Sequence, residues 1–188
     1  MTRLVISIGL FALLIYGVYC VLDFTATGVV STVETVSGSI DDFLGAEDAT
    51  PGEYIRADVV RVVDGQTVEV TAKKGKKQLT AILRTAGVAL PDGEDEKQAG
   101  EYLESLIHEG DTVFFEIRGV DGDCILAYIW TKKIRNPGKN ALLKYCINAR
   151  MLQAGMARPT YEGLYVEEFR EIYEDAKKEG TGIFNESN

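Results

Sequence analysis

The sequence predicts an α+β domain, a five-stranded barrel with three helices, preceded by a single transmembrane helix. Three observations support this fold class. An uncharged apolar run opens the chain at residues 4–22, short alternations of apolar and polar residues follow from residue 54, and helical periodicity dominates the last third. With 188 residues, 46% of them apolar, the chain is long enough for one domain with a hydrophobic core.

Residues 1–23 are predicted to be a transmembrane anchor, because a helix over residues 4–22 would span about 28 Å, close to the roughly 30 Å of a bilayer core. The alternative is a cleaved signal peptide, whose apolar region usually has only about 7–15 residues. Arg3 precedes the run, which favours an N-terminus inside the cell. We expect the domain in the periplasm of a bacterium, with a mitochondrial inner membrane as the alternative.

Residues 24–52 form the predicted connection between the anchor and the domain. Apolar residues recur there at spacings of four and three, which is typical of a helix that pairs along one seam. The seam consists of Leu22, Ala26, Val29, Val33, Val36, Ile40 and Phe43. We expect it to bind a protein partner, a second copy of the chain or the following domain. The alternative is a loose linker, because Val, Thr and Gly are mediocre helix formers.

Residues 53–188 are predicted to form the folded domain. Alternating patterns predict strands at residues 54–63, 66–72, 78–85, 112–118 and 124–130, with a tight turn at Asp64 and Gly65. Helices are predicted at residues 94–107, 140–154 and 166–179, and the last two are closed by Gly155 and Gly180. Five strands of this kind can close into a small Greek-key barrel, the OB-fold.

The charge of the chain argues against nucleic acid as a partner. The formal net charge is −9, so the protein gains no general electrostatic attraction to a polyanion. Residues 1–52 hold one basic and six acidic residues, which leaves the domain mildly acidic at −4. Cys124 and Cys146 show no metal-binding spacing; we expect two buried thiols, and a disulfide between them is the alternative.

Five segments of the domain follow one another in a characteristic order. They are VVDGQTVEV at residues 62–70, ILRTAGVALPD at 82–92, ILAYIW at 125–130, ALLKYCINARMLQAGMA at 141–157 and EEFREIYEDAKKEGTGIF at 167–184. Their order and spacing resemble the staphylococcal-nuclease-like (thermonuclease) family over about two-thirds of the chain. The resemblance implies an OB-fold. In active members it also implies two aspartates that hold calcium, a glutamate that positions water and two arginines that neutralise the phosphate.

Most of that implied site is missing at the matching positions of this chain. Gln66 and Ala89 stand where the family has its two metal-binding aspartates, and Asp92 stands in place of the glutamate. Arg84 matches the first arginine, whereas Cys124 replaces the second. We therefore expect no functional catalytic residues at these positions, and neither a cofactor nor a metal.

The function expected from this combination is a catalytically inactive nuclease-like domain, a membrane-anchored structural or protein-binding accessory subunit of a larger complex. One alternative is a calcium-dependent phosphodiesterase whose site is rebuilt from Asp64, Asp92, Glu94 and Asp95, with Arg84 on the phosphate. A second alternative is a nucleic-acid-binding domain without catalysis. It would use two clusters of basic residues: Lys73, Lys74, Lys76, Lys77, Lys132, Lys133, Arg135 and Lys139.

Overall fold

The computed structural model describes residues 53–74, 77–91 and 94–185. Within its strands and helices, four side chains are not described: Lys74, Lys77, Glu94 and Asp95. The predicted anchor, the connection at residues 24–52 with its whole seam, Lys76 and Asp92 lie outside the described residues. None of the described helices is long and apolar enough to cross a membrane.

The described chain contains seven strands. They are β1 (Ile55–Asp64), β2 (Thr67–Lys74), β3 (Lys77–Thr85), β4 (Val88–Ala89), β5 (Thr112–Asp121), β6 (Cys124–Trp130) and β7 (Arg158–Pro159). Five of them close into a barrel in the order β1-β2-β3-β6-β5, and β5 returns to β1. The pairs are antiparallel except β3 with β6, which run parallel. The α+β class and the closed five-stranded barrel are confirmed, and this topology is OB-fold-like.

The interior of the barrel follows from the alternation in the sequence. On each strand every second side chain points inward, where it is removed from water, and each fully buried aliphatic or Phe side chain contributes about 1.5–3 kcal/mol. The inward side chains that are 0–1% exposed are Val68, Val70, Leu83, Val113, Phe115, Ile125, Ala127 and Ile129. These apolar side chains from neighbouring strands pack together as the core of the barrel.

The described residues form four α-helices, so the prediction of three was wrong. They are α1 (Glu94–Leu106), α2 (Lys139–Tyr145), α3 (Ile147–Gln153) and α4 (Val166–Glu179). The predicted helix at residues 140–154 is divided by Cys146, which has an extended backbone (φ −94°, ψ 117°). A short 3₁₀ turn at Gly182–Phe184 follows α4.

The break at Cys146 is caused by the unequal lengths of β3 and β6. The register between these strands ends at Thr85, whereas β6 continues to Trp130, which leaves the last part of β6 without a strand partner on that side. Cys146 pairs with Trp130 as an isolated antiparallel bridge, and the Thr131 N–H donates to Tyr145 O at 2.9 Å. The backbone of this segment therefore completes the edge of the sheet, which a continuous helix could not do.

Asn148 completes the same edge with its side chain. It is fully buried. Its Oδ1 accepts a hydrogen bond from the Ile129 N–H at 2.9 Å, and its Nδ2 donates to Ala86 O at 2.9 Å and to Ala127 O at 3.1 Å. Because buried backbone groups need partners, this amide replaces the hydrogen bonds that an extension of β3 would have made.

Candidate functional site

The hairpin turn between β1 and β2 is formed as the sequence predicts, and it defines the role of Asp64. Asp64 Oδ1 accepts a hydrogen bond from the Gln66 N–H at 2.8 Å, which is the geometry of an Asx turn. Gln66 is half-buried, and its backbone carbonyl accepts a hydrogen bond from the Thr85 N–H at 2.9 Å. Asp64 therefore has a structural use in the turn, independent of any metal.

Gly65 is required by close packing rather than by its backbone conformation. It is not among the residues with positive φ. A Cβ at this position would lie 2.9 Å from Ala99 Cβ and 3.1 Å from Gly100 N, both on α1. The turn thus packs closely against the middle of α1. A groove of about 420 Å³ runs beside this contact, and α1 lines it with Glu96, Lys97, Gly100, Glu101 and Glu104.

Arg84 and Cys124, which match the two arginine positions of the resemblance, lie on the neighbouring strands β3 and β6. The register aligns Arg84 with Leu126, two residues after Cys124, so both side chains leave the same face of the sheet. Arg84 Nη1 donates a hydrogen bond to Asp121 Oδ2. Asp121 is in register with Cys124 on the next strand. The arginine is therefore already engaged by a carboxylate of the same chain, and the position that matches the second arginine is a cysteine on the same face.

Ala89 and Asp92 contribute nothing that the structure can assign to a metal site. Ala89 lies in the two-stranded sheet of β4 and β7, where it pairs with Arg158, and its methyl group offers no ligand. Asp92 lies outside the described residues, as do the side chains of Glu94 and Asp95. Among the described residues, no group of three or more His, Cys, Asp or Glu side chains is placed to hold a metal ion.

The two described cysteines are free thiols, so the alternative of a disulfide between them is wrong. Cys124 is partly exposed, whereas Cys146 is fully buried. Burial raises the pKa of the Cys146 thiol to about 12. Because the thiolate is the reactive form, Cys146 is not a nucleophile at neutral pH, and its role in this fold is the backbone bridge to Trp130.

A buried carboxylate on β5, next to Tyr165 just before α4, was not anticipated from the sequence. Glu116 is 1% exposed. Its Oε2 accepts a hydrogen bond from the Tyr165 hydroxyl at 3.2 Å, and its Oε1 lies 3.5 Å from Arg118 Nη1. Burial, together with the nearby Glu116 charge, raises the pKa of Tyr165. The alternation along β5 places this residue on the face away from the barrel interior, and only the packing of the helical segment buries it.

The basic residues after β6 divide into exposed and paired ones. Lys132, Lys133 and Arg135 are exposed. Lys139 instead lies 2.8 Å from Asp175 and 3.4 Å from Glu171, both on α4. The hydrogen bond between Lys139 and Asp175 raises the pKa of the lysine and lowers that of the aspartate. Lys139 therefore attaches the start of α2 to α4, and it is not free to bind a phosphate.

The basic residues of the β2–β3 turn are described only in part. Lys73 is exposed. The side chains of Lys74 and Lys77 are not described, and Lys76 lies outside the described residues.

Comparisons with known proteins add no family assignment to this picture. The closed barrel and the positions of the helices are observed in the chain itself. No protein-family model matches this sequence, and no curated protein matches it.

Proposed function

We propose that this chain is a membrane-anchored, catalytically inactive nuclease-like domain that acts as a structural or protein-binding accessory subunit of a larger complex. One observation carries the catalytic part of the proposal. Of the two positions that match the phosphate-binding arginines of the resemblance, Arg84 is hydrogen-bonded to Asp121 and the second is Cys124, on the same face of the sheet. An arginine and a thiol next to a carboxylate present little net positive charge to a phosphate.

The chemistry of phosphate ester cleavage gives this observation its weight. Calcium binds six to eight oxygen ligands, several of them carboxylates, whereas Gln66 is an uncharged amide and Ala89 has no oxygen in its side chain. Removal of one electrostatic donor from a catalytic site typically costs about 10²–10³ in rate. The three replacements, Gln66, Ala89 and Cys124, affect the same constellation, so their effects are expected to leave no useful catalysis.

The accessory role is supported by the parts of the chain that precede the barrel. Residues 1–23 are predicted to anchor the protein, and the seam from Leu22 to Phe43 is predicted to bind a protein partner. A fold of this type serves binding as well as catalysis, so loss of a catalytic site is compatible with a retained function. The anchor would keep the barrel at the membrane, and the seam would join it to its complex.

The catalytic part is tested with the full-length chain in mild detergent. Cleavage of single-stranded DNA is measured with calcium and with a chelator, beside the variant Arg84→Ala. We expect no cleavage above background in any sample. Calcium-dependent cleavage by the wild type that disappears in Arg84→Ala would contradict the proposal and favour the phosphodiesterase alternative.

The accessory role is tested by affinity purification of the tagged full-length chain from its native membranes. We expect a protein partner in fixed stoichiometry, and we expect Val33→Asp to reduce its recovery at least tenfold, because a charge would enter the seam. Ser31→Asp, in the same segment but off the seam, is the matched control and should retain the partner. A wild-type chain that is monomeric and readily cleaved by protease between residues 22 and 43 would count against the role.

A further inference from the structure

One stretch of this acidic protein is strongly basic. Between Asp123 and Glu162 the chain carries seven basic residues and no acidic residue. Four of the seven are exposed and lie between the end of β6 and the end of α2, and we refer to them as the basic corner: Lys132, Lys133, Arg135 and Lys144. In the part of the chain that the structure describes, no ion pair neutralises them, in contrast to Lys139.

Aromatic rings lie beside the three lysines of the basic corner, and two of these lysines share one ring. Lys132 Nζ lies 5.6 Å and Lys144 Nζ lies 5.2 Å from the centre of the Tyr145 ring. Lys133 Nζ lies 5.3 Å from the centre of the Phe114 ring. The faces of aromatic rings attract cations, so two ammonium groups that would repel each other share one ring. The result is a patch of positive charge bordered by partly exposed aromatic side chains.

The chain enters the folded domain beside this patch. The Tyr54 hydroxyl donates a hydrogen bond to Ile134 O at 2.8 Å, and Ile134 lies between Lys133 and Arg135 in the sequence. The predicted anchor and connection end at residue 52, two residues before Tyr54. The basic corner is thus beside Tyr54, close to the point where the chain enters β1.

We propose that the basic corner binds the phosphate groups of anionic lipids in the membrane to which the chain is anchored. This proposal rests on the anchor of the proposed function. A membrane surface is favoured over a dissolved nucleic acid for two reasons. The domain as a whole is acidic, which weakens attraction of a polyanion from solution, whereas an anchored domain is already held at the membrane surface. Tyrosine beside lysine is also a combination suited to the boundary between water and lipid.

The size of the effect follows from the number of charges. Each lysine or arginine near an anionic membrane surface strengthens binding by roughly fivefold. The four residues of the basic corner would together favour the membrane-bound orientation by roughly 10²–10³-fold at low salt. The attraction is screened when the ionic strength approaches 1 M, where charges interact over only about 3 Å.

The test uses the full-length chain in lipid nanodiscs made of phosphatidylcholine alone or with about a third of phosphatidylglycerol. Rates of lysine acetylation are measured by mass spectrometry. We expect Lys132, Lys133 and Lys144 to react at least fivefold more slowly in the anionic discs, with recovery in about 1 M NaCl. Lys97 on α1 and Lys177 on α4 are the internal controls and should react equally in both discs.

Two variants separate the basic corner from charge in general. In the wild type, we expect anionic discs to slow amide hydrogen exchange in residues 131–145. The fourfold variant K132Q/K133Q/R135Q/K144Q should not show this slowing. The control variant K73Q/K97Q/K177Q/K178Q, which also removes four basic side chains, should retain it. Both variants change exposed residues, so we expect them to fold like the wild type. The fluorescence of Trp130, the only tryptophan, checks this.

Each other outcome overturns a specific part of the proposal. Equal acetylation of the three lysines in the two kinds of disc would refute lipid binding. Protection by a single-stranded DNA oligonucleotide, but not by anionic lipid, would refute it in favour of nucleic acid. A chain that does not co-purify with nanodiscs would contradict the anchor. In that case, the acetylation rates of the same three lysines are measured with added anionic vesicles, and unchanged rates would refute lipid binding.

Discussion

Replacement of Asn148 by alanine should destabilise the barrel more than any other single amide replacement in the described chain. The side chain is fully buried and makes three hydrogen bonds to backbone groups of β6 and of Ala86. In Asn148→Ala, the Ile129 N–H and Ala86 O both lose this partner. Ala127 O retains the hydrogen bond that it accepts from the Ala86 N–H at 2.8 Å.

The expected loss of stability follows from these two buried backbone groups, which are left without a hydrogen-bond partner. A buried donor or acceptor left without its partner costs about 1–3 kcal/mol, so the two together predict a loss of about 2–6 kcal/mol in the free energy of unfolding. This is a large part of the roughly 5–15 kcal/mol that a typical domain has. With a urea dependence of about 2 kcal/mol per molar, the unfolding midpoint should fall by about 2 M.

The assay is urea unfolding of the full-length chain in mild detergent, followed by tryptophan fluorescence. Trp130 is the only tryptophan and is fully buried, so the signal reports on the barrel. Asn140→Ala, at an exposed asparagine, is the matched control and should stay within about 0.5 kcal/mol of the wild type. A loss below about 1 kcal/mol for Asn148→Ala would show that the Ile129 N–H and Ala86 O find other partners.

Asn148→Asp gives an independent test of the same contacts. The aspartate keeps the acceptor for the Ile129 N–H but turns an ionised carboxylate toward Ala86 O and Ala127 O. Burial without a cation raises the pKa of a carboxyl group in the folded state. A group with a raised folded pKa stabilises the protein only when it is protonated, so this variant should regain stability relative to Asn148→Ala as the pH falls. Parallel pH profiles for the two variants would contradict this assignment.

Two further predictions concern packing and charge. Gly65→Ala should lower the free energy of unfolding by about 1–3 kcal/mol, because the added Cβ would collide with Ala99. Gly138→Ala is the control: no atom lies within 4 Å of its added Cβ, so it should be neutral or slightly stabilising in the same urea assay. Equal losses of stability in the two variants would refute the packing argument. Lys139→Met should be less stable than the wild type at pH 7. This difference should vanish well below pH 3.8, where Asp175 with its lowered pKa becomes protonated, and well above pH 10.5, where Lys139 with its raised pKa loses its proton. A difference that persists at pH 2 in chemical unfolding would show that the charge pair is not its cause.

The strands could be predicted from the sequence because their signal is local. Alternation of apolar and polar residues decides which side of a strand faces the core, and the structure places Val113, Phe115 and Ile129 inward as that pattern indicates. The turn at Asp64 and Gly65 was predicted for the same reason. The need for glycine there comes instead from contact with Ala99, more than 30 residues away in the chain, which no local pattern contains.

The features that escaped prediction depend on tertiary contacts. The apolar periodicity at residues 140–154 is that of one helix, but the free edge of β6 requires an extended residue at Cys146. Strands β4 and β7 have only two residues each, too few for a periodic signal. The pairing of Arg84 with Asp121 joins positions 37 residues apart through the register of β3, β6 and β5. Only the fold reveals that the remaining arginine is already engaged.

The nuclease assay of the full-length chain with and without calcium, beside Arg84→Ala, tests the central claim most directly. A calcium-dependent nuclease serves as the positive control for the substrate and the detergent. The account predicts that wild type and Arg84→Ala are both indistinguishable from background, because Gln66, Ala89 and Cys124 leave neither a metal site nor a phosphate clamp. Calcium-dependent cleavage that the wild type performs and Arg84→Ala does not would contradict it.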